Sequence, residues 1–172
     1  MKINIYLGIM LLITCLFVSC KKEDIAYGDD FSRSEKMWRN FKASSGNSYR
    51  YMANDTTVAG NVLETIITVK HGQVVGRSYV YKAWEGASAQ LVIHDQWEEN
   101  ASTLGSHLVG ADTLTLDEIY RRAKSDWLKK RGNAQIFFET KNDGMISLCG
   151  YLLDGCFGNC FIGISIDYIE KL

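Results

Sequence analysis

The sequence predicts an α+β fold: a two-layer sandwich in which one antiparallel sheet of about six or seven strands carries two helices on one face. Three observations lead there. Two segments have helical periodicity, and the segments around them alternate β-branched and aromatic residues with polar ones. Short turns rich in Gly, Asn and Asp join the strand-like runs, which makes consecutive strands antiparallel. The chain has no proline, so strand ends fall to those same turn residues. The expected order is α-β-β-β-β-α-β-β-β in a single domain over residues 31–172.

The first helix is expected over residues 32–44. Ser32 and Ser34 are candidate N-caps, and Met37, Trp38 and Phe41 share one face. "SYRYMAND" (48–55) alternates as a strand. "NVLETIITVK" and "QVVGRSYVYKAW" flank His71-Gly72 and form a hairpin. "AQLVIHDQWEE" (89–99) is the fourth strand. The second helix is "TLDEIYRRAKSDWLKKRG", opened by a Thr115/Glu118 capping box and striped by Leu116, Ile119, Tyr120, Ala123, Trp127 and Leu128. Gly132 is its expected stop. "AQIFFET", "MISLCGYLL" and "FIGISIDYI" complete the sheet.

Residues 1–19 have the layout of a secretory signal peptide: a basic start, an apolar run from Ile5 to Val18, and a small residue before the break. That run is shorter than the roughly 20 residues a spanning helix needs. "LFVSC" resembles the lipobox of bacterial lipoproteins, with Phe17 where leucine is usual. The resemblance implies cleavage before Cys20 and lipidation of Cys20, hence palmitate-type acyl chains holding the protein on a membrane. Lys21-Lys22-Glu23-Asp24 is similar to the export signal of surface lipoproteins. Residues 20–30 then read as a charged tether, and the placement implied is the outer membrane, facing periplasm or cell surface.

Cleavage would remove one basic residue, Lys2, and leave a net charge of −2. With no basic stripe, a nucleic-acid partner is not expected. The layout of Trp38 followed by "SYRY", the hairpin "ITVKHGQVV", "TLDEIYRRAKSDW" and the closing Cys-Gly-Tyr…Cys…Cys run resembles small bacterial lipoproteins built on a domain of unknown function. The likeness covers most of residues 35–172. It implies the fold and the envelope setting, and no catalytic residue or cofactor.

"LCGYLLDGCFGNC" (148–160) holds every cysteine inside the expected domain. A second cysteine or histidine pair for zinc is missing, and so is a Cys-x-x-Cys redox motif. An oxidising envelope favours a disulfide. Even-numbered oily positions in "MISLCGYLL" and "FIGISIDYI" imply an even register, pairing Leu153 with Phe161. That register places the bridge at Cys156–Cys160 and leaves Cys149 free on the outer strand face.

Trp84 and Trp97, at strand ends, are the candidate ligand contacts, whereas Trp38 and Trp127 fit the core. Asp95, Glu98 and Glu99 read as a charged strand end in solvent. No nucleophile elbow, phosphate loop or metal motif occurs. The expected protein is therefore a non-enzymatic envelope protein, without cofactor or metal, acting by surface binding. Its alternatives are a glycan- or peptide-binding accessory protein and an inhibitor-like module docking a partner enzyme. Exposure of Trp84 and Trp97 on one patch would favour glycan. An exposed 154–160 loop beside apolar surface would favour protein.

Overall fold

The computed structural model describes residues 25–57, 59–86, 90–158 and 160–172. Helix α1 (Gly28–Ser44) leads into a four-strand meander, β1 (Tyr49–Thr56), β2 (Val62–Lys70), β3 (Gln73–Glu85) and β4 (Gln90–Asn100). Helix α2 (Leu116–Arg122) continues as a π-helical turn, Ala123–Trp127. A second meander follows: β5 (Ala134–Glu139), β6 (Leu148–Leu153) and β7 (Phe161–Lys171). The seven strands form one antiparallel sheet in the order β4-β3-β2-β1-β7-β6-β5. The α+β prediction and its element order hold.

Both helices cover the face that carries Tyr49 and Tyr51 of β1, each fully buried. The Tyr51 hydroxyl donates to the Leu114 carbonyl at 2.6 Å, and the Tyr49 hydroxyl accepts from the Leu116 amide at 2.8 Å. The Tyr120 hydroxyl meets Ser34 Oγ at 2.8 Å and accepts the Ile146 amide at 3.2 Å, tying α1, α2 and the 145–147 segment together. Burial raises all three phenols, Tyr120 to about 12, so they act as neutral hydrogen-bonding groups. Trp38 packs edge-on against Tyr49 at 5.2 Å and, with Trp127, belongs to the core as expected. Among the described residues the opposite face of the sheet has no covering layer, and it carries cross-strand ion pairs such as Lys82–Glu64.

Several local expectations are corrected. The fold begins earlier than residue 31: Ile25 bridges Lys129, and the Ala26 amide donates to the Leu128 carbonyl at 2.7 Å. Part of the expected tether is therefore folded structure. Ser32 and Ser34 lie inside α1 and are not caps. The Ser32 hydroxyl bonds back to the Gly28 carbonyl, and Ser34 is buried against Tyr120. The capping box at Thr115 and Glu118 is present. Helix α2 does not reach Gly132, because the π turn rotates Trp127 and Leu128 both into the core and ends the helix there. His71 and Gly72 form the β2–β3 turn with φ of 50° and 80°, as the hairpin reading requires.

The β6–β7 register is odd, not even: Leu152, rather than Leu153, pairs with Phe161, and Cys149 pairs with Ile164. Met145, Ile146 and Ser147 are consecutively buried, so alternation slips before the strand begins and Cys149 turns to the helix face. Cys149 is free, yet fully buried. On the opposite face Gly150 and Gly163 are paired beneath the Phe161 ring. A Cβ on Gly163 would overlap the Cys149 carbonyl oxygen and the Gly150 Cα. Gly163→Ala is expected to destabilise the protein by about 2 kcal/mol, read as a lower midpoint in denaturant unfolding.

Candidate binding site

Within the described sheet the two meanders pair with each other through β1 and β7, and that seam is short. Pairing runs from Tyr49–Lys171 to Asn54–Ser165 and then stops. Beyond it, β1 continues through Asp55 and Thr56, paired to β2, and β7 is already present from Phe161 to Ile164, paired to β6. The sheet therefore forks. An extra residue in β7, Asp167, makes a bulge in the seam, and bulges increase local twist. The side-chain-free contact of Gly150 with Gly163 draws β7 toward β6 at the same level.

The fork holds a cavity of about 450 Å³, within the usual range for ligand sites. Its lining comes from both faces of the sheet: Ala53, Thr65 and Ile164 from the helix face, Asn54, Leu148 and Gly163 from the open one. Only a gap between strands permits that mixture. Gly110 and Ala111, from the loop between β4 and α2, close one side.

That loop is held by a latch. Arg77 and Glu99 oppose each other on β3 and β4 and form a bidentate pair, with Nε–Oε2 and Nη2–Oε1 both 2.9 Å. The side chains are 6% and 0% exposed. Glu99 also accepts the amides of Gly105 and His107 at 2.9 and 2.8 Å, and the Ser106 hydroxyl at 3.1 Å. Arg77 donates in turn to the carbonyls of His107 (2.7 Å) and Ala111 (3.2 Å). The guanidinium and the two loop amides hold the Glu99 carboxyl far below the ordinary carboxylate range. Tyr79, Trp97 and His107 stack in a row, with Trp97 and His107 4.2 Å apart and the Arg77 guanidinium over the Trp97 ring at 4.7 Å. The Ala111 amide finally donates to Thr65 Oγ1 at 3.0 Å, seating the loop on β2.

The expected solvent-exposed role of Glu99 is thus overturned, while Asp95 and Glu98 are exposed. The latch left one sequence signal, an arginine at an inward position of a strand beside Tyr79. Its partner became visible only with the β3–β4 register, which a bulge at His94 shifts.

Trp84 and Trp97 do not form one patch. Trp84 is 49% exposed on the open face, its indole donating to the Gly60 carbonyl at 2.9 Å. Trp97 is half-buried on the helix face, and its ring nitrogen is buried without a partner. Cys156 and Cys160 are bridged as expected. Their loop is exposed and presents Phe157 at 97% exposure. Cys20 lies outside the described residues.

Exposed apolar residues gather at the forked end of the sheet. Leu108 and Val109 precede the cavity-lining Gly110, Leu153 and Phe157 flank Phe161, and Leu91, Val92 and Ile93 pair with the far end of β3. Away from this end the exposed large apolar residues are Tyr27, Met37 and Leu172, among those described. Comparison with family models, curated proteins and solved structures finds no match to this chain. The site is therefore read from its own chemistry.

Two outcomes follow from this geometry. Arg77→Met leaves Glu99 buried without its partner, and the melting temperature is expected to fall by roughly 10 °C. The depressed Glu99 carboxyl contributes stability above its unfolded value of 4.5 and loses it as pH falls toward the folded value. Melting curves should accordingly decline less steeply below pH 4.5 in Glu99→Gln than in the wild type. For the cysteines, non-reducing peptide mapping should recover Cys156 linked to Cys160. Cys149, whose thiol burial pushes well upward, should alkylate only after unfolding.

Proposed function

We propose that this chain is a lipid-anchored protein of the outer membrane, without enzymatic activity, that works by binding a protein partner at the forked end of its sheet. Cys20 carries the lipid in this reading, and no cofactor is involved. The observation that carries it is the concentration of exposed apolar side chains at the forked end of the sheet, with Leu108 two residues before the cavity-lining Gly110 and Phe157 four residues before Phe161. Soluble monomers rarely leave such surface uncovered unless something docks there.

Other features agree. The Cys156–Cys160 bridge suits an oxidising envelope. No helix among the described residues is long and apolar enough to cross a membrane, which is compatible with attachment by acyl chains. Residues 20–24 would reach at most about 18 Å, keeping the folded body close to the bilayer. The buried acid and thiol that a catalytic reading would need are already committed, Glu99 to Arg77 and the loop amides, Cys149 to the core. A glycan platform is less favoured, since Trp84 and Trp97 lie on opposite faces of the sheet.

Cells expressing the full chain and fed an alkynyl fatty acid should yield a labelled protein in the membrane fraction, and Cys20→Ser should abolish label and membrane retention together. Label persisting in Cys20→Ser would overturn the anchor. A photo-crosslinking residue at Leu108 or Phe157 should give one discrete adduct that the same residue at Met37, on α1, does not. Equal patterns at all three positions would remove the binding surface.

A further inference from the structure

The charges of this protein are divided unevenly between its two layers. Segments 25–44 and 112–131, which build the helix layer, hold ten basic and seven acidic side chains, and the other described residues hold six and eleven. A chain of negative net charge thus carries one cationic layer. Within that layer the acids are largely used up: Asp30, Glu35, Asp112, Asp117 and Asp126 each pair with a base of the same layer, and Glu118 closes the capping box. The layer therefore shows solvent an excess of lysine and arginine, with Lys36, Arg39, Arg121 and Lys129 exposed. Helices α1 and α2 run antiparallel, since α1 starts beside Leu128 and Lys129 and ends with Lys42 paired to Asp117. Between them lies a groove of about 390 Å³ whose lining includes Arg39, Lys42, Arg121 and Lys124, and whose two acids, Glu35 and Asp117, belong to the pairs just named. A guanidinium keeps further N–H donors while one is engaged, and its fork matches a phosphate.

The point where the chain enters the fold selects the occupant. Ile25 and Ala26 are held against Lys129 and Leu128, so the preceding segment joins the body within the helix layer itself. From Cys20 that segment spans at most about 18 Å. Glu35, at the near end of the groove, lies ten residues beyond Ile25, about 15 Å along a helix. Acyl chains on Cys20 therefore bring a bilayer to this layer first. We infer that the outer surface of the helix layer lies on the bilayer, the α1–α2 groove receiving an anionic phospholipid headgroup whose phosphate meets Arg39 and Arg121. The inference rests on the lipid anchor proposed for Cys20 and adds the orientation of the body to it. The sheet, with its excess of acids, is the layer that an anionic surface repels, and it faces away.

The test places a fluorophore on Lys36→Cys of α1 or, as a control, on Glu98→Cys of β4, both exposed positions. Cys149 is buried and Cys156 is bridged to Cys160, so the introduced thiol takes the probe. The full lipidated chain is reconstituted into phosphatidylcholine vesicles with or without phosphatidylglycerol, and quenching by neutral acrylamide is measured. Phosphatidylglycerol should cut quenching of the Lys36 probe by about threefold and leave the Glu98 probe unchanged. Salt at about 0.5 M should restore the quenching. Arg39→Gln combined with Arg121→Gln should also restore it at unchanged melting temperature, whereas Arg39→Lys with Arg121→Lys should keep most of the shielding. Equal shielding in pure phosphatidylcholine, shielding of the Glu98 probe instead, or full shielding in the double glutamine variant overturns the inference. So does the same shielding from inorganic phosphate added to the chain in detergent, which makes the groove a phosphate site rather than a membrane face. Acyl label persisting in Cys20→Ser, with the Lys36 probe still shielded, defeats the anchor alone. Label confined to Cys20, with the probe equally quenched in every vesicle, defeats the membrane face alone. A chain that takes no acyl label removes both.

Discussion

Everything in this fold hangs on β1, the strand to which both meanders attach. On one side it pairs with β2 along its whole length, and on the other with β7 for only its first six residues. Its inward tyrosines then set the second layer: Tyr49 holds the start of α2 through a backbone amide, Tyr51 holds the preceding carbonyl, and Trp38 of α1 packs on Tyr49. One strand thus fixes the order of the sheet, the seat of both helices and the place where the sheet divides. A buried tyrosine hydroxyl is costly unless bonded, so each of these contacts is also a constraint on register.

The fork and the latch are consequences of the same geometry. Level with the seam, Arg77 of β3 and Glu99 of β4 place a buried ion pair on the helix face, and that pair needs a cover of its own. Loop 101–111 supplies it. A loop lying on a sheet must satisfy its own backbone groups, and the Arg77–Glu99 pair does so from beneath: the acid takes two loop amides, the base takes two loop carbonyls. This is a different use of a buried ion pair from simple stabilisation. A desolvated pair gains little over apolar packing, but it gives four directional bonds that apolar side chains cannot, and so specifies one loop path. The proposed binding cavity exists because that path ends at Gly110 and Ala111.

Legibility in the sequence follows range of interaction. The Thr115/Glu118 capping box, the His71-Gly72 turn and the alternation of β1 are settled by residues within four positions of each other, and all were readable. The Cys156–Cys160 bridge was reached by a register that proved to be off by one, since a bridge closing its own loop survives an error in the flanking strands. Cys149 did not survive it: one slip at Ser147 moved its thiol from the open face to the core. The latch was harder still. Arg77 and Glu99 are 22 positions apart, across a strand pair whose register shifts at a bulge, and nothing in either neighbourhood names the other. The fork was invisible for the same reason, being defined by where pairing stops between residues more than a hundred positions apart.

The disulfide can be placed in this scheme by magnitude. A bridge between residues four apart closes so small a loop that the chain-entropy gain is only about 2 kcal/mol, the low end for disulfides. Global stability is therefore a weak reason for it. Its local effect is larger, because a closed loop of five residues has few conformations left, and this one keeps Phe157 in solvent directly before the β7 edge. An exposed phenylalanine on a floppy loop would fold back onto neighbouring apolar surface. In the proposed reading, the bridge would offer the Phe157 ring to a partner as an aromatic group that is already ordered. That lowers the entropy lost when a partner docks. On this view the cysteine-rich stretch that first looks like a reaction centre is a mechanical part of the binding surface.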